Sequence, residues 1–185
     1  MRIALIPVYL LCYLAWQGNI GMWAALVVFV AAAVSDWADG HIARARGIVT
    51  NFGKLMDPLA DKALVASAMI AMTAHGEIPV WATVAVICRE FFVSGFRQLA
   101  LEQGKDKVIA ASSSAKVKTV LQMVMIIYIL AKSALLDWLV ERFFADIDMI
   151  GWSLEIISHV LIYAVVLLTV FSAIEYVMKN KLKWG

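Results

Sequence analysis

The sequence predicts an all-α integral membrane protein, with six transmembrane helices and both termini in the cytoplasm, formed by a single domain of residues 1–185. The chain is 63% hydrophobic and 16% charged, whereas a soluble domain has roughly 25% charged residues. Several segments are apolar on every helical face, and only helices and closed barrels satisfy backbone polar groups in lipid. The basic residues also collect in alternate connections, which predicts the orientation of the helices.

Six segments are predicted to span the membrane. They are residues 3–16, 20–42, 52–75, 77–100, 111–132 and 153–178. The first is interpreted as a retained span and not a signal peptide, because Pro7 interrupts it and no small-residue cleavage site follows. Several apolar runs reach the roughly 20 residues of a span only with their polar flanks, which must then lie at the membrane border or line a wet cavity. Residues 134–148 alternate apolar and acidic side chains and are interpreted as a short helix on the outer surface.

The distribution of charge predicts the topology. Twelve of the sixteen Lys and Arg residues lie at the two termini and in the second and fourth connections. Residues 17–19 and 75–77 contain no Lys or Arg, and residues 132–152 contain two cations against four acids. The positive-inside rule therefore places the basic connections in the cytoplasm. We expect a multi-pass protein of the cell (plasma) membrane.

Four aspartates lie within the second and third predicted spans, where carboxylates are costly and usually mark a functional site. Asp36 and Asp39 are three residues apart and Asp57 and Asp61 are four apart, so each pair shares a helix face. In an antiparallel hairpin that turns near residues 48–49, Asp36 lies level with Asp61, and Asp39 with Asp57. If the two faces meet, four carboxylates converge at one depth.

Four like charges at close range do not all stay ionised without compensation, which favours bound metal. Oxygen ligands favour Mg²⁺, Mn²⁺ or Ca²⁺ over zinc, and Mg²⁺ completes its shell with water and substrate phosphates. Four carboxylates suit two such ions that bridge a diphosphate. Gly40, Ala43 and Gly53 would let backbone and substrate approach closely, although small residues also serve ordinary helix packing.

At this spacing the chain resembles the CDP-alcohol phosphatidyltransferase family, whose signature here reads Asp36-x2-Asp39-Gly40-x2-Ala43-Arg44-x8-Gly53-x3-Asp57-x3-Asp61. Eight fixed residues over 26 positions make a specific pattern. Residues 51–62, 89–97 and 116–119 resemble bacterial phosphatidylglycerophosphate synthases, so the likeness extends over nearly the whole chain. The chain departs from the family at Met1-Arg2, where members usually begin with a short amphipathic stretch.

The resemblance implies that an acceptor hydroxyl attacks the phosphorus that bears the diacylglycerol of CDP-diacylglycerol, and that CMP leaves. Asp61 is then the catalytic general base. The resemblance also implies two divalent ions, Mg²⁺ or Mn²⁺, with the ligands Asp36, Asp39, Asp57 and Asp61. The nucleotide-binding residues that it implies are Asp36, Asp39, Gly40, Ala43, Arg44, Thr50 and Gly53.

A second polar group concerns the acceptor. Arg89 and Arg97 lie eight residues apart on the fourth span, and Lys116 and Lys118 open the fifth. These cations suit an acceptor that is itself a phosphate, because Arg binds phosphate bidentately, and glycerol 3-phosphate fits. In the alternative interpretation, Arg97, Lys116 and Lys118 are positive-inside anchors, and Arg89 pairs with Glu90 or a neighbouring Asp.

Other functions are less compatible with this pattern. Serine, inositol phosphate or phosphatidylglycerol are alternative acceptors for the same chemistry. An ion-coupled transporter would have acids spread across the bilayer, whereas these four lie near one face. A membrane prenyltransferase would have a different spacing of acidic motifs. The expected partners are CDP-diacylglycerol, glycerol 3-phosphate, membrane lipid and a second copy of the chain in a homodimer, with no nucleic acid.

Overall fold

The computed structural model describes residues 2–15, 18–46, 51–102, 113–143 and 148–181. Over these residues the regular structure is entirely helical, as predicted, and contains no strand. The elements are α1 (Arg2–Leu10), a π-helical segment (Leu11–Ala15), α2 (Asn19–Arg46), α3 (Asn51–Ala74), α4 (Val80–Glu102), α5 (Ser113–Phe143) and α6 (Asp148–Lys181). Each of the six predicted segments is therefore helical over most of its described residues.

Two of the described helices are long and apolar enough to cross a membrane, namely Val117–Val140 within α5 and Met149–Met178 within α6. Three shorter apolar stretches lie at Ala4–Ala15, Asn19–Ser35 and Lys62–Ala74. Large apolar side chains cover the outside of these helices, as a surface in contact with lipid requires. The fold is thus consistent with a membrane protein.

The prediction of a separate surface helix at residues 134–148 is wrong for the described part of that segment. α5 continues through these residues to Phe143 as one helix. Residues 134–143 contain no Gly or Pro that would end a helix, and Ala134 is fully buried against its neighbours.

α5 lies at the centre of the fold, in contact with α2, α3 and α6, while α4 packs on α3 and α6. Its buried side chains Ile126, Ile129 and Leu130 belong to the main apolar core. α1 packs against both α2 and α3. Tyr9 of α1 contacts Phe29 of α2, with ring centroids 5.9 Å apart. α1 therefore connects α2 and α3, which both contact α5.

Ion pairs and hydrogen bonds stabilise one end of the fold. They join the polar and charged side chains of the Lys132 cluster, which consists of Glu77, Lys132, Ser133 and Glu155. α3 ends at a turn in which Gly76 has a φ of 78° and the amide of Glu77 donates to the carbonyl of Met72 at 3.0 Å. This turn directs Glu77 to Lys132, whose Nζ lies 2.6 Å from Glu77 Oε2 and 2.7 Å from Glu155 Oε2. The cluster joins the α3–α4 turn to α5 and α6.

Candidate functional site

The four aspartates lie on α2 and α3, in the halves of these helices next to their connection. Asp36 is ten residues before the end of α2 at Arg46, and Asp61 is ten residues after the start of α3 at Asn51. Both distances correspond to about 15 Å of helix. Because both helices are unbroken here, the spacings of three and four residues place each pair on one helix face, as predicted.

The structure describes the helical backbone at the remaining signature positions Gly40, Ala43, Arg44 and Gly53. Thr50 lies outside the described residues. The side chains of the four aspartates, Arg44, Arg97 and Lys116 lie outside the described part of the chain as well. The convergence of the carboxylates and their coordination of metal therefore stay predictions.

Described side chains from four helices form a charged group, the Glu90 cluster. Its members are Lys62 of α3, Arg89 and Glu90 of α4, Lys118 of α5 and Ser172 of α6. Lys118 Nζ donates to Glu90 Oε1, and Arg89 Nη1 donates to the same oxygen at 3.2 Å. Arg89 Nη2 donates to the Ser172 hydroxyl. The Lys62 ammonium lies 3.9 Å from Glu90 Oε2 and donates to the Glu90 carbonyl at 3.3 Å.

The cluster differs in solvent exposure from one member to the next. The Lys118 side chain is fully buried, and that of Arg89 is 10% exposed. Lys62 and Glu90 are about one quarter and one fifth exposed, and they line a cavity of about 50 Å³ together with Thr119 of α5. The cavity is lined by polar side chains of α3, α4 and α5 and by apolar side chains of α3 and α4. It has room for a few waters or a small polar group.

Residues 1–171 match the family model of the CDP-alcohol phosphatidyltransferases. The chain belongs to this family. The phosphatidyltransferase match contains the whole eight-residue signature, so the family predicted from that spacing is confirmed. The protein is therefore an enzyme of the CDP-alcohol phosphatidyltransferase class.

Named relatives of this phosphatidyltransferase align over most of its length. It is 35% identical to a CDP-diacylglycerol–glycerol-3-phosphate 3-phosphatidyltransferase of Bacillus subtilis, over 97% of this chain and 90% of the relative. It is also 35% identical to an enzyme of the same name from Shigella flexneri, over 95% of this chain and 87% of the relative. A probable phosphatidylglycerophosphate synthase of Mycobacterium tuberculosis is 32% identical over 97% of this chain and 77% of the relative.

The structure brings together two of the four cations that the sequence predicts for the acceptor. Arg89 and Lys118 meet on Glu90, so the predicted alternative, that Arg89 pairs with Glu90, is confirmed as a contact. Lys118 is not an interfacial anchor, because its side chain is fully buried. Arg97 lies near the end of α4, and Lys116 lies near the start of α5. Both residues are therefore on the helices that carry Arg89 and Lys118.

Sequence reasoning did not identify Glu90, Lys62 and Ser172 as candidate site residues, although the structure brings them together with Arg89 and Lys118. Glu90 had a usable signal, because it is an acid inside a predicted span, and the rule that singled out the aspartates applies to it equally. Ser172 had no such signal, since a single Ser in an apolar helix commonly bonds to its own backbone. Only the packing of α4 on α6 shows its contact with Arg89.

The Glu90 cluster includes the residue that follows Asp61 on α3. Lys62 directly follows Asp61, so their Cα atoms are about 3.8 Å apart. Three cations of the described residues meet on Glu90, and Lys62 makes a further interaction as well. The phosphatidyltransferase therefore has a group of cations that begins one residue along α3 from its predicted catalytic aspartate.

Proposed function

We propose that the protein transfers the phosphatidyl group of CDP-diacylglycerol to glycerol 3-phosphate, giving phosphatidylglycerophosphate and CMP. The names of the relatives from Bacillus subtilis and Shigella flexneri describe this reaction. One structural observation supports the acceptor in particular: the cationic Glu90 cluster adjoins Asp61 through Lys62. The guanidinium of Arg89 and the ammonium of Lys62 suit a phosphorylated acceptor, whereas serine has no phosphate for them to bind.

In the proposed reaction, the hydroxyl of glycerol 3-phosphate forms a bond to the phosphorus that bears the diacylglycerol. The bond from that phosphorus to the bridging oxygen breaks, and the oxygen leaves with CMP. Asp61 accepts the proton of the hydroxyl. A carboxylate beside metal is a weak base, so its reach to the hydroxyl matters more than its proton affinity.

Two divalent ions, Mg²⁺ or Mn²⁺, are part of the proposal. The donor set fits them, since Asp36, Asp39, Asp57 and Asp61 supply only oxygen atoms and lie at matched distances along α2 and α3. When bound, such ions neutralise a diphosphate and stabilise the charge that develops on the leaving phosphate. The nucleotide is proposed to bind along the signature, at Asp36, Asp39, Gly40, Ala43, Arg44, Thr50 and Gly53.

We propose that the single domain crosses the plasma membrane six times, with both termini and the active site facing the cytoplasm. Lys118 and Lys132 are fourteen residues apart on α5, which separates their clusters by about 21 Å. The Glu90 cluster therefore lies toward the basic end of the helices, where the positive-inside rule places the cytoplasm and its soluble acceptors. A homodimer is part of the same proposal.

The acceptor is tested with purified protein in detergent, supplied with CDP-diacylglycerol and Mg²⁺ or Mn²⁺. We expect CMP release with glycerol 3-phosphate and little release with serine or phosphatidylglycerol, because neither of these carries a phosphate dianion. Inositol 1-phosphate carries the same dianion, and comparison with it measures how far the enzyme selects the rest of the acceptor. Release with serine but not with glycerol 3-phosphate would contradict the proposed acceptor. Mass spectrometry of the lipid product identifies phosphatidylglycerophosphate directly.

Replacement of Arg97 by Ala is expected to raise the KM for glycerol 3-phosphate by about tenfold, with a smaller change in the KM for CDP-diacylglycerol. Arg97 lies two turns after Arg89 on α4, and a guanidinium binds phosphate bidentately. Steady-state kinetics with each substrate varied in turn measure both constants. Arg142→Ala, at the far end of α5, is the matched control and should alter neither constant. An equal rise in both constants for the Arg97 variant would indicate a membrane anchor instead.

A further inference from the structure

Glu90 lies where four helices meet, yet no step of the proposed reaction uses it. We infer that Glu90 is a positioning residue for the acceptor: held by the buried Lys118, its carboxylate orients Arg89 and Lys62 for the acceptor's phosphate. This inference rests on the proposed function and deepens it, because it names the group that determines the geometry of the acceptor site.

The contacts of Glu90 divide between its two carboxylate oxygens. Oε1 accepts hydrogen bonds from Lys118 and Arg89, and Oε2 faces Lys62 at 3.9 Å. An ionised carboxylate only accepts hydrogen bonds, so Glu90 fixes the two donors that reach Oε1. Lys62 is held by its hydrogen bond to the Glu90 carbonyl at 3.3 Å, and its ion pair with Oε2 directs the ammonium to the same carboxylate. Lys118 is fully buried and cannot turn to solvent. It therefore acts as a support for Glu90, while Arg89 and Lys62 are the members that remain partly exposed.

The position of Arg89 is determined from two sides. Nη1 is held by Glu90 and Nη2 by Ser172 of α6, so the plane of the guanidinium is fixed between α4 and α6. Its Nε is buried and has no hydrogen-bond acceptor within the described part of the chain. A buried donor without an acceptor is unfavourable, and a bound oxyanion supplies one.

The partly exposed members of the cluster have donors that suit a phosphate monoester. Lys62 supplies an ammonium and Arg89 a guanidinium, and a phosphate monoester carries a charge of about −1.5 to −2 at neutral pH. Lys62 and Glu90 line the adjoining cavity, and Lys62 follows Asp61 in the chain. A phosphate held by Lys62 and Arg89 would place the rest of a short acceptor near the predicted general base.

The test uses two variants of the full chain in the same detergent assay. Glu90→Gln keeps the shape of the side chain and removes its charge, but it leaves Lys118 buried without a counter-charge and can lower the yield of folded protein. The double variant Glu90→Gln with Lys118→Met removes both buried charges, which a membrane-embedded fold tolerates better. We expect the double variant to fold and to retain a KM for glycerol 3-phosphate at least about tenfold above that of the wild type.

The kinetic constants distinguish a positioning role from a merely structural one. A positioning residue changes the KM for the acceptor more than it changes turnover or the KM for CDP-diacylglycerol. We expect the turnover at saturating acceptor and the KM for CDP-diacylglycerol to change by less than about threefold in the double variant. Lys132→Met breaks a buried ion pair at the other end of α5 and is the matched control, for which the acceptor KM should stay at the wild-type value. A wild-type acceptor KM in the double variant would overturn the positioning role, and so would an equal loss for both substrates.

The wild-type arm distinguishes this inference from the function on which it rests. If the wild-type protein fails to use glycerol 3-phosphate, the proposed function is overturned, and the role of Glu90 with it. If the wild type turns over glycerol 3-phosphate and the double variant binds it equally well, only the role of Glu90 is overturned. Glu90→Asp, which keeps the charge, should restore part of the acceptor affinity that Glu90→Gln loses.

Discussion

Asp61→Asn is expected to lower turnover by at least about 100-fold, the contribution that a positioned general base commonly makes. Asparagine keeps the size and polarity of the side chain but does not accept the proton of the acceptor hydroxyl. Binding of the nucleotide should change far less, because three other aspartates remain to hold the metal. CMP release measures turnover, and titration of the detergent-solubilised protein with CDP measures nucleotide binding.

Asp39→Asn provides the contrast for this prediction. Asp39 is proposed as a metal and nucleotide ligand and not as the base, so its loss should weaken nucleotide binding and turnover together. The two variants lie on opposite helices, each within about 15 Å of the α2–α3 connection. Near-normal turnover in Asp61→Asn, or an identical pattern of losses in both variants, would contradict the assignment of Asp61 as the base.

The sequence predicted the helices well where they follow from runs of neighbouring apolar residues. The second and third predicted spans, residues 20–42 and 52–75, correspond to α2 and α3 with ends that differ by at most four residues. The end of α5 was not predictable in this way. Its charged residues indicated an exit from the membrane, whereas Lys132 is buried by Glu77 and Glu155, which are 55 and 23 positions away. One sequence does not show contacts over such separations.

The same difference between local patterns and long-range contacts applies to the candidate site. The aspartates were found because their spacing is a property of two consecutive helices, and helical geometry converts such spacing into shared faces. The contacts of Glu90 depend on how α3, α4, α5 and α6 pack together. For that reason Lys118 was open to interpretation as a surface anchor from its position in the sequence, although its side chain is fully buried against Glu90.

Removal of divalent metal is expected to reduce turnover to below about 1% of its starting value, with recovery on addition of Mg²⁺ or Mn²⁺. Four carboxylates at matched depth repel one another, and without a cation some of them take up protons, which also weakens the site for the diphosphate. Chelation should be reversible, because Mg²⁺ is held by few protein ligands and completes its shell with water and phosphate. The experiment measures CMP release in excess EDTA and then across a series of metal concentrations.

The ligand variants connect this metal requirement to particular residues. Asp39→Asn should raise the Mg²⁺ concentration that gives half-maximal turnover, since one negatively charged oxygen ligand is lost from the site. Glu90→Gln should leave that concentration unchanged, because Glu90 contacts only Lys62, Arg89 and Lys118 among the described charged residues. Full turnover in excess EDTA would exclude the proposed role of the metal. A shift of equal size in both variants would show that the metal dependence reports general damage to the helix packing and not the loss of a ligand.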